Sequence, residues 1–168
     1  EIATTIAAAR SLTLGGILHP GNYSLLGVGV SFALAAKNLN PDKTCVLVTG
    51  DGAFLSGGLS IEACFQESIP IVVVVDNNGG LDCISQQQER LFANGKHFAT
   101  DFRDIPFHAM FEGLGGFGAL VTSRAELPDA LQRAIASGKP ACLNVKCRGV
   151  ISPIVAATSD KRDKASIE

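Results

Sequence analysis

Two stretches decide the fold of this chain: Cys45-Val46-Leu47-Val48-Thr49-Gly50-Asp51-Gly52 and Ile71-Val72-Val73-Val74-Val75-Asp76-Asn77-Asn78-Gly79-Gly80. Each is a short, continuous apolar run that stops in turn residues, the pattern of a strand covered on both faces. Between them, Ile61, Cys64, Phe65 and Ile69 recur at i, i+3, i+4 and i+8, an apolar stripe that predicts a helix after Gly57-Gly58. Strand, helix, strand within about thirty residues is a βαβ unit with a right-handed crossover.

On either side the pattern continues. Residues 25–38, LLGVGVSFALAAKN, are apolar almost all round and predict a buried helix stopped at Asn40-Pro41-Asp42. Residues 81–100, with Ser85-Gln86-Gln87-Gln88-Glu89 and no sustained period, read as a long loop holding one helical turn. Phe102 to Gly113 reads as a helix and Gly115 to Val121 as a third strand. Ser123 and Glu126 make a capping-box pattern ahead of a helix carrying Leu127, Ala130, Leu131, Ala134 and Ile135, which Gly138 ends. Ala141 to Cys147 alternates Leu143, Val145 and Cys147 with Asn144 and Lys146, and predicts a strand at or near the sheet edge. The class is α/β, a parallel sheet with helices on both faces. Residues 1–148 form one domain and 149–168 a tail.

Composition narrows the function. The chain has 168 residues, 46% of them hydrophobic and 18% charged, which excludes disorder. A net charge of −2 without a dense Lys/Arg run argues against nucleic acid and anionic membranes as partners. No apolar run reaches the roughly 18 residues that a membrane span needs. The chain begins with Glu1, as a piece of a longer protein would, and no secretory signal is expected from its N-terminal residues. Its five cysteines include no CxxC pair and its three histidines no metal-ligand spacing, so the cysteines read as small core residues in a reducing cytoplasm.

The chemistry gathers where the two strands end. Ligands of open α/β sheets bind at the carboxyl ends of the strands. Asp51 and Asn78 would meet there, and a carboxylate, an amide oxygen and main-chain carbonyls make the hard-oxygen set that Mg²⁺ takes with phosphate oxygens. Gly52 would let the backbone approach a phosphate, with a helix N-terminus facing the anion. GDG alone, or NNGG alone, is more often a plain turn. Together, at the ends of consecutive strands, they point to a magnesium-bridged diphosphate.

Gly50-Asp51-Gly52, 24 intervening residues and Asn77-Asn78 resemble the cofactor signature of the thiamine-diphosphate-dependent enzymes. The resemblance runs from Leu18 to Val150 and covers the diphosphate-binding domain of that family. It implies Asp51, Asn78 and the carbonyl of Gly80 as Mg²⁺ ligands. It implies Leu26, in Leu26-Gly27, as the side chain that props the bent cofactor, with the main chain near Ser24 meeting the aminopyrimidine. Gly50, Gly52, Ala53 and Leu81 complete the implied cofactor contacts. Without the GDG motif, Leu26 would read as plain core packing. The activating glutamate of the family lies on a pyrimidine-binding domain, and no Glu of this chain takes that role. The resemblance therefore implies a partner domain or subunit and a homodimer or homotetramer.

Within the family, LGVGVSFALAA, the segment from Gly50 to Gly80 and the tail resemble 2-hydroxyacyl-CoA lyases and oxalyl-CoA decarboxylases most, then acetolactate synthases and benzoylformate-type decarboxylases. The implied activity is a carbon–carbon lyase acting on a 2-hydroxyacyl-CoA, with a free 2-oxo acid as the alternative substrate. His19-Pro-Gly-Asn-Tyr-Ser24 and Leu81-Asp82-Cys83 depart from the pattern, close to where a substrate would react. A non-catalytic phosphate-binding module would need neither Asn78 nor Leu26. The tail reads either as a frayed terminus or as a lid that closes over an acyl-CoA, with Lys161, Arg162 or Lys164 meeting phosphates. Glu62 reads as orienting a turn and Asp76 as an acceptor for turn amides; His19, ahead of the Leu26 segment, could reach the site, though a lone His in a loop is more often a surface residue.

Overall fold

The computed structural model describes residues 15–20, 25–92 and 95–151. Ser24 and the expected lid beyond residue 151 lie outside the described residues. Strands β1 (Val46–Gly50), β2 (Val72–Asn77), β3 (Phe117–Val121) and β4 (Ala141–Lys146) form one parallel sheet in the order β1-β2-β4-β3. Helices α1 (Gly29–Leu39), α2 (Asp51–Gly57), α3 (Glu62–Gln66), α4 (Asp82–Leu91), α5 (Phe107–Gly113) and α6 (Leu127–Ala136) surround it, with a 3₁₀ turn over Gly58–Ile61.

Two apolar layers hold the sheet, one on each face, as the alternation of β2 requires. Val73, Val75 and Cys142 pack against Val30 and Ala33 of α1, Phe54 of α2, and Phe107 and Phe111 of α5. Val72 and Leu143 pack against Ala130 and Ala134 of α6. Phe54 meets Phe107 edge to face at 5.5 Å, and Phe111 lies 6.1 Å from Phe54 and 5.7 Å from Phe65. Burying such a ring stabilises by about 1.5–3 kcal/mol.

The structure corrects several expectations. Strand β1 is not covered on both faces: among the described residues it pairs with β2 alone, and Val46 and Val48 are 42% and 43% exposed. A continuous apolar run gives a strand's composition but not its number of neighbours. Helix α1 is likewise not buried all round, since only Val30 and Ala33 are covered and Phe32 and Leu39 are exposed. Strand β4 is not an edge. It lies between β2 and β3, and Asn144, whose polarity suggested solvent, is completely buried.

Residues 82–91 form a full helix rather than a loop with one turn. Among its residues only Ser85 is buried, so no apolar stripe announces it; Asp82 in the first turn and Arg90 in the last suit the helix dipole, and Gln86 bonds Asp82 at 2.8 Å. Helix α5 starts at Phe107 rather than Phe102, because Pro106 sets its first turn. The capping box is shifted: Glu126 itself takes the cap position and accepts from the Thr122 amide at 2.9 Å. No helix among the described residues is long and apolar enough to cross a membrane.

Candidate cofactor site

Parallel pairing brings the two motifs together. Gly50 is in register with Asp76, so the chain leaves β1 at Asp51 beside the point where β2 runs into Asn78 and Gly79. Asp51 is 4% exposed. One of its oxygens, Oδ2, accepts the Gly79 amide at 2.8 Å and the Gly80 amide at 2.9 Å, and Oδ1 accepts the Gly52 amide at 2.7 Å. Asn78 Oδ1 accepts the Gly80 amide at 3.3 Å. Asp51, not Asp76, is therefore the acceptor for the turn amides, which corrects the expectation for Asp76.

Asp76 is the unsatisfied member, with a buried Oδ1 that has no hydrogen-bond partner. Burial pushes the Asp51 carboxyl up, against the pull of its three amide donors, and the charge of Asp76 adds to the push. Cys147, exposed at the surface, stands near both acids: partial burial, a hydrogen bond with Asp76 and the two negative charges push its thiol up. Two close carboxylates with a spare buried oxygen favour a hard cation. A carboxylate has about four acceptor positions, so Asp51 keeps one beyond its three amides. Asn78 contributes an amide oxygen. The Gly80 carbonyl is free of the ladder beside it, because the bridge from Gly80 to Asp101 uses the Thr100 carbonyl with the Leu81 amide and the Gly79 carbonyl with the Phe102 amide, each at 2.8 Å. The residues present thus fit a magnesium-bound diphosphate.

A cavity of about 900 Å³ opens over these groups, and Leu26, Gly50, Asp51, Gly52, Ala53, Asn78, Gly80 and Leu81 all line it. Leu26 is 59% exposed, so it is not core packing. Its loop is fixed by a glycine-to-glycine contact: Gly27 has φ +90°, and a Cβ on Gly57 of α2 would stand 2.3 Å from the Gly27 carbonyl oxygen. Gly52 makes room for a side chain of this protein, since its Cβ would meet Leu81 Cδ2 at 2.4 Å. His19 also lines the cavity, while Glu62 is exposed on α3.

Three supports escaped sequence reasoning. Asp76 on the cavity wall reads as a turn residue when only its neighbours in sequence are seen. His97 lies 3.0 Å from Glu89 of α4 and 2.8 Å from Asp101, whose segment pairs with Gly80. Both carboxylates hold its imidazolium above the ordinary histidine range, the Asp101 hydrogen bond first among the causes. Asn144 is the third, and its only signal was a polar residue inside an apolar strand.

A parallel α/β domain with acidic, amide and glycine groups at neighbouring strand ends defines a class: a phosphate-cofactor domain. The chain belongs to the thiamine pyrophosphate enzymes; the profile of their C-terminal TPP binding domain matches residues 3–145. It is 37% identical over 129 residues to a probable acetolactate synthase of Mycobacterium bovis, which covers 76% of this chain and 23% of that protein. It is 30% identical over 148 residues to a 2-hydroxyacyl-CoA lyase of Arabidopsis thaliana, covering 86% of this chain and 25% of the relative. Among solved structures, the thiamine diphosphate-dependent 4-hydroxybenzoylformate decarboxylase of Rhodococcus jostii RHA1 matches with a TM-score of 0.66 at 26% identity, over 76% of this chain and 24% of that one. The chain spans about a quarter of the length of these relatives.

Proposed function

We propose that this chain carries the diphosphate half of a Mg²⁺-dependent active site in a carbon–carbon lyase, with a 2-hydroxyacyl-CoA as its substrate. The observation that carries the reading is Asp51, a buried strand-end carboxylate held by the Gly79 and Gly80 amides next to Asn78 and the spare oxygen of Asp76. Asp51, Asn78 and the Gly80 carbonyl would hold Mg²⁺, and Leu26 would support the cofactor from the facing wall. Thiamine diphosphate, when bound, would supply a nucleophilic carbon and a cationic ring able to delocalise the electron pair of a breaking carbon–carbon bond. The protein's part is to bind the diphosphate, hold the cofactor against Leu26 and line an apolar cavity that keeps water scarce.

A pyrimidine-binding domain, on the same chain or on a partner, would complete the site in a homodimer or homotetramer, and the cytoplasm suits the free cysteines among the described residues. A second reading, a free 2-oxo acid as substrate, is favoured by the 37% identity to an acetolactate synthase. Calorimetric titration of thiamine diphosphate into the longest natural chain should show binding that depends on Mg²⁺, and binding indifferent to Mg²⁺ would refute the metal site. Turnover of a 2-hydroxyacyl-CoA against pyruvate and benzoylformate then separates the substrates.

A further inference from the structure

Strand β2 ends in two asparagines of opposite fates. Asn78 lines the cavity, while Asn77 is 3% exposed and turns into the core. There its Nδ2 donates to Asn144 Oδ1 at 2.9 Å and to the Ile105 carbonyl at 3.3 Å. Asn144, on the central strand β4, donates its own Nδ2 to the same Ile105 carbonyl at 3.3 Å, with His108 Nδ1 also at 3.3 Å. The Cys147 amide donates to the Asn77 carbonyl at 3.0 Å. The geometry points to Asn144 as a positioning residue that sets the Asn78–Gly80 turn through Asn77; the inference rests on the proposed function.

The two amides supply direction rather than volume. The surrounding face is otherwise Val73, Val75, Cys142, Phe107 and Phe111. Two apolar side chains of similar shape could fill the same space, and such paired replacements are often near neutral in stability. Packing alone therefore does not account for two buried amides. The backbone of Asn77 is already held by the ladder and the Cys147 amide; an apolar contact would add shape alone at this strand end, whereas a satisfied polar network specifies one arrangement. Asn77 is the last residue of the β2 ladder, directly before the turn whose Gly79 and Gly80 amides hold Asp51. A shift at Asn77 would displace Asn78 and loosen Asp51 together, so one bond between β2 and β4 bears on both side-chain ligands.

The test uses the longest natural chain, wild type against Asn144→Leu and the double variant Asn77→Leu/Asn144→Leu. Hydrogen–deuterium exchange of the peptide over residues 77–82, without ligand, reads the turn directly. Calorimetry with Mg²⁺ at saturating thiamine diphosphate reads the site. We expect Asn144→Leu to speed exchange in that peptide and to weaken Mg²⁺ by about tenfold, the low end for losing a residue that orients a ligand. The double variant should regain wild-type melting without regaining Mg²⁺ affinity. Wild-type exchange and affinity in Asn144→Leu, or recovery of both in the double variant, would overturn the positioning role. If Asn144→Leu does not fold, Asn144→Ser, smaller and still polar, is read by the same criteria. Should wild type itself bind without Mg²⁺, the proposed function fails, and the exchange measurement still decides the role of Asn144.

Discussion

Asp51 does two jobs that pull against each other. Its three amide bonds tie the end of β1 to the turn after β2, yet its burial beside Asp76 raises its carboxyl, which a cation would relieve. Losing it should therefore be felt in folding as well as in binding. We expect Asp51→Ala to destabilise the protein by about 1–3 kcal/mol, as buried amides lose their acceptor, measured by urea unfolding without ligands. Asp51→Asn keeps one oxygen for the Gly79 and Gly80 amides but turns a donor toward the Gly52 amide, so it should lose less stability than Asp51→Ala, while Mg²⁺-dependent cofactor affinity falls by more than about tenfold. Unchanged stability of Asp51→Ala would mean the amides find other acceptors. The GDG–NN spacing made Asp51 and Asn78 legible in the sequence because each motif ends its own strand. Asp76 and Asn144 were not legible, because whether a polar side chain is satisfied depends on atoms from distant strands.

Among the elements, α4 and the segment returning from it govern the turn that carries Gly80. His97 spans them, gripping half-exposed Glu89 on one side and exposed Asp101 on the other. Its raised pKa means the folded state holds the proton more tightly than the unfolded one. The stabilisation is complete below the ordinary histidine value of about 6.5 and is lost as pH rises through the higher folded value. Thermal melting of wild type and His97→Gln should therefore differ most at low pH and converge as pH rises, whereas a gap constant with pH would show that the imidazole charge contributes nothing. At the other wall, a methyl on Gly57 has no room beside the Gly27 carbonyl. Gly57→Ala should cost about 1–3 kcal/mol by overpacking and shift Leu26, so melting temperature and thiamine diphosphate affinity should fall together.

At the scale of the molecule, the core and the site share one scaffold. Phe111 is fully buried against Phe54 and Phe65, and Phe54 lies on the helix that begins at Asp51. Phe111→Ala should cost about 3–5 kcal/mol, seen as a lower urea midpoint with an unchanged slope. The proposed site is half of an active site, so the 168 residues alone should show no turnover; activity of this isolated chain would refute the need for a partner domain.

The sequence by itself determined the α/β class, the strand-end chemistry and the cofactor-domain resemblance. These are local matters: β-branched runs, turn residues and their spacing act through neighbours along the chain. Tertiary structure alone decided that, among the described residues, β1 lies at the edge and β4 in the middle, that 82–91 is a helix, and that Asn144 is core. Strand order and the burial of a polar side chain are set by which distant surfaces meet, and a run of residues carries the same periodicity whichever neighbour finally covers it.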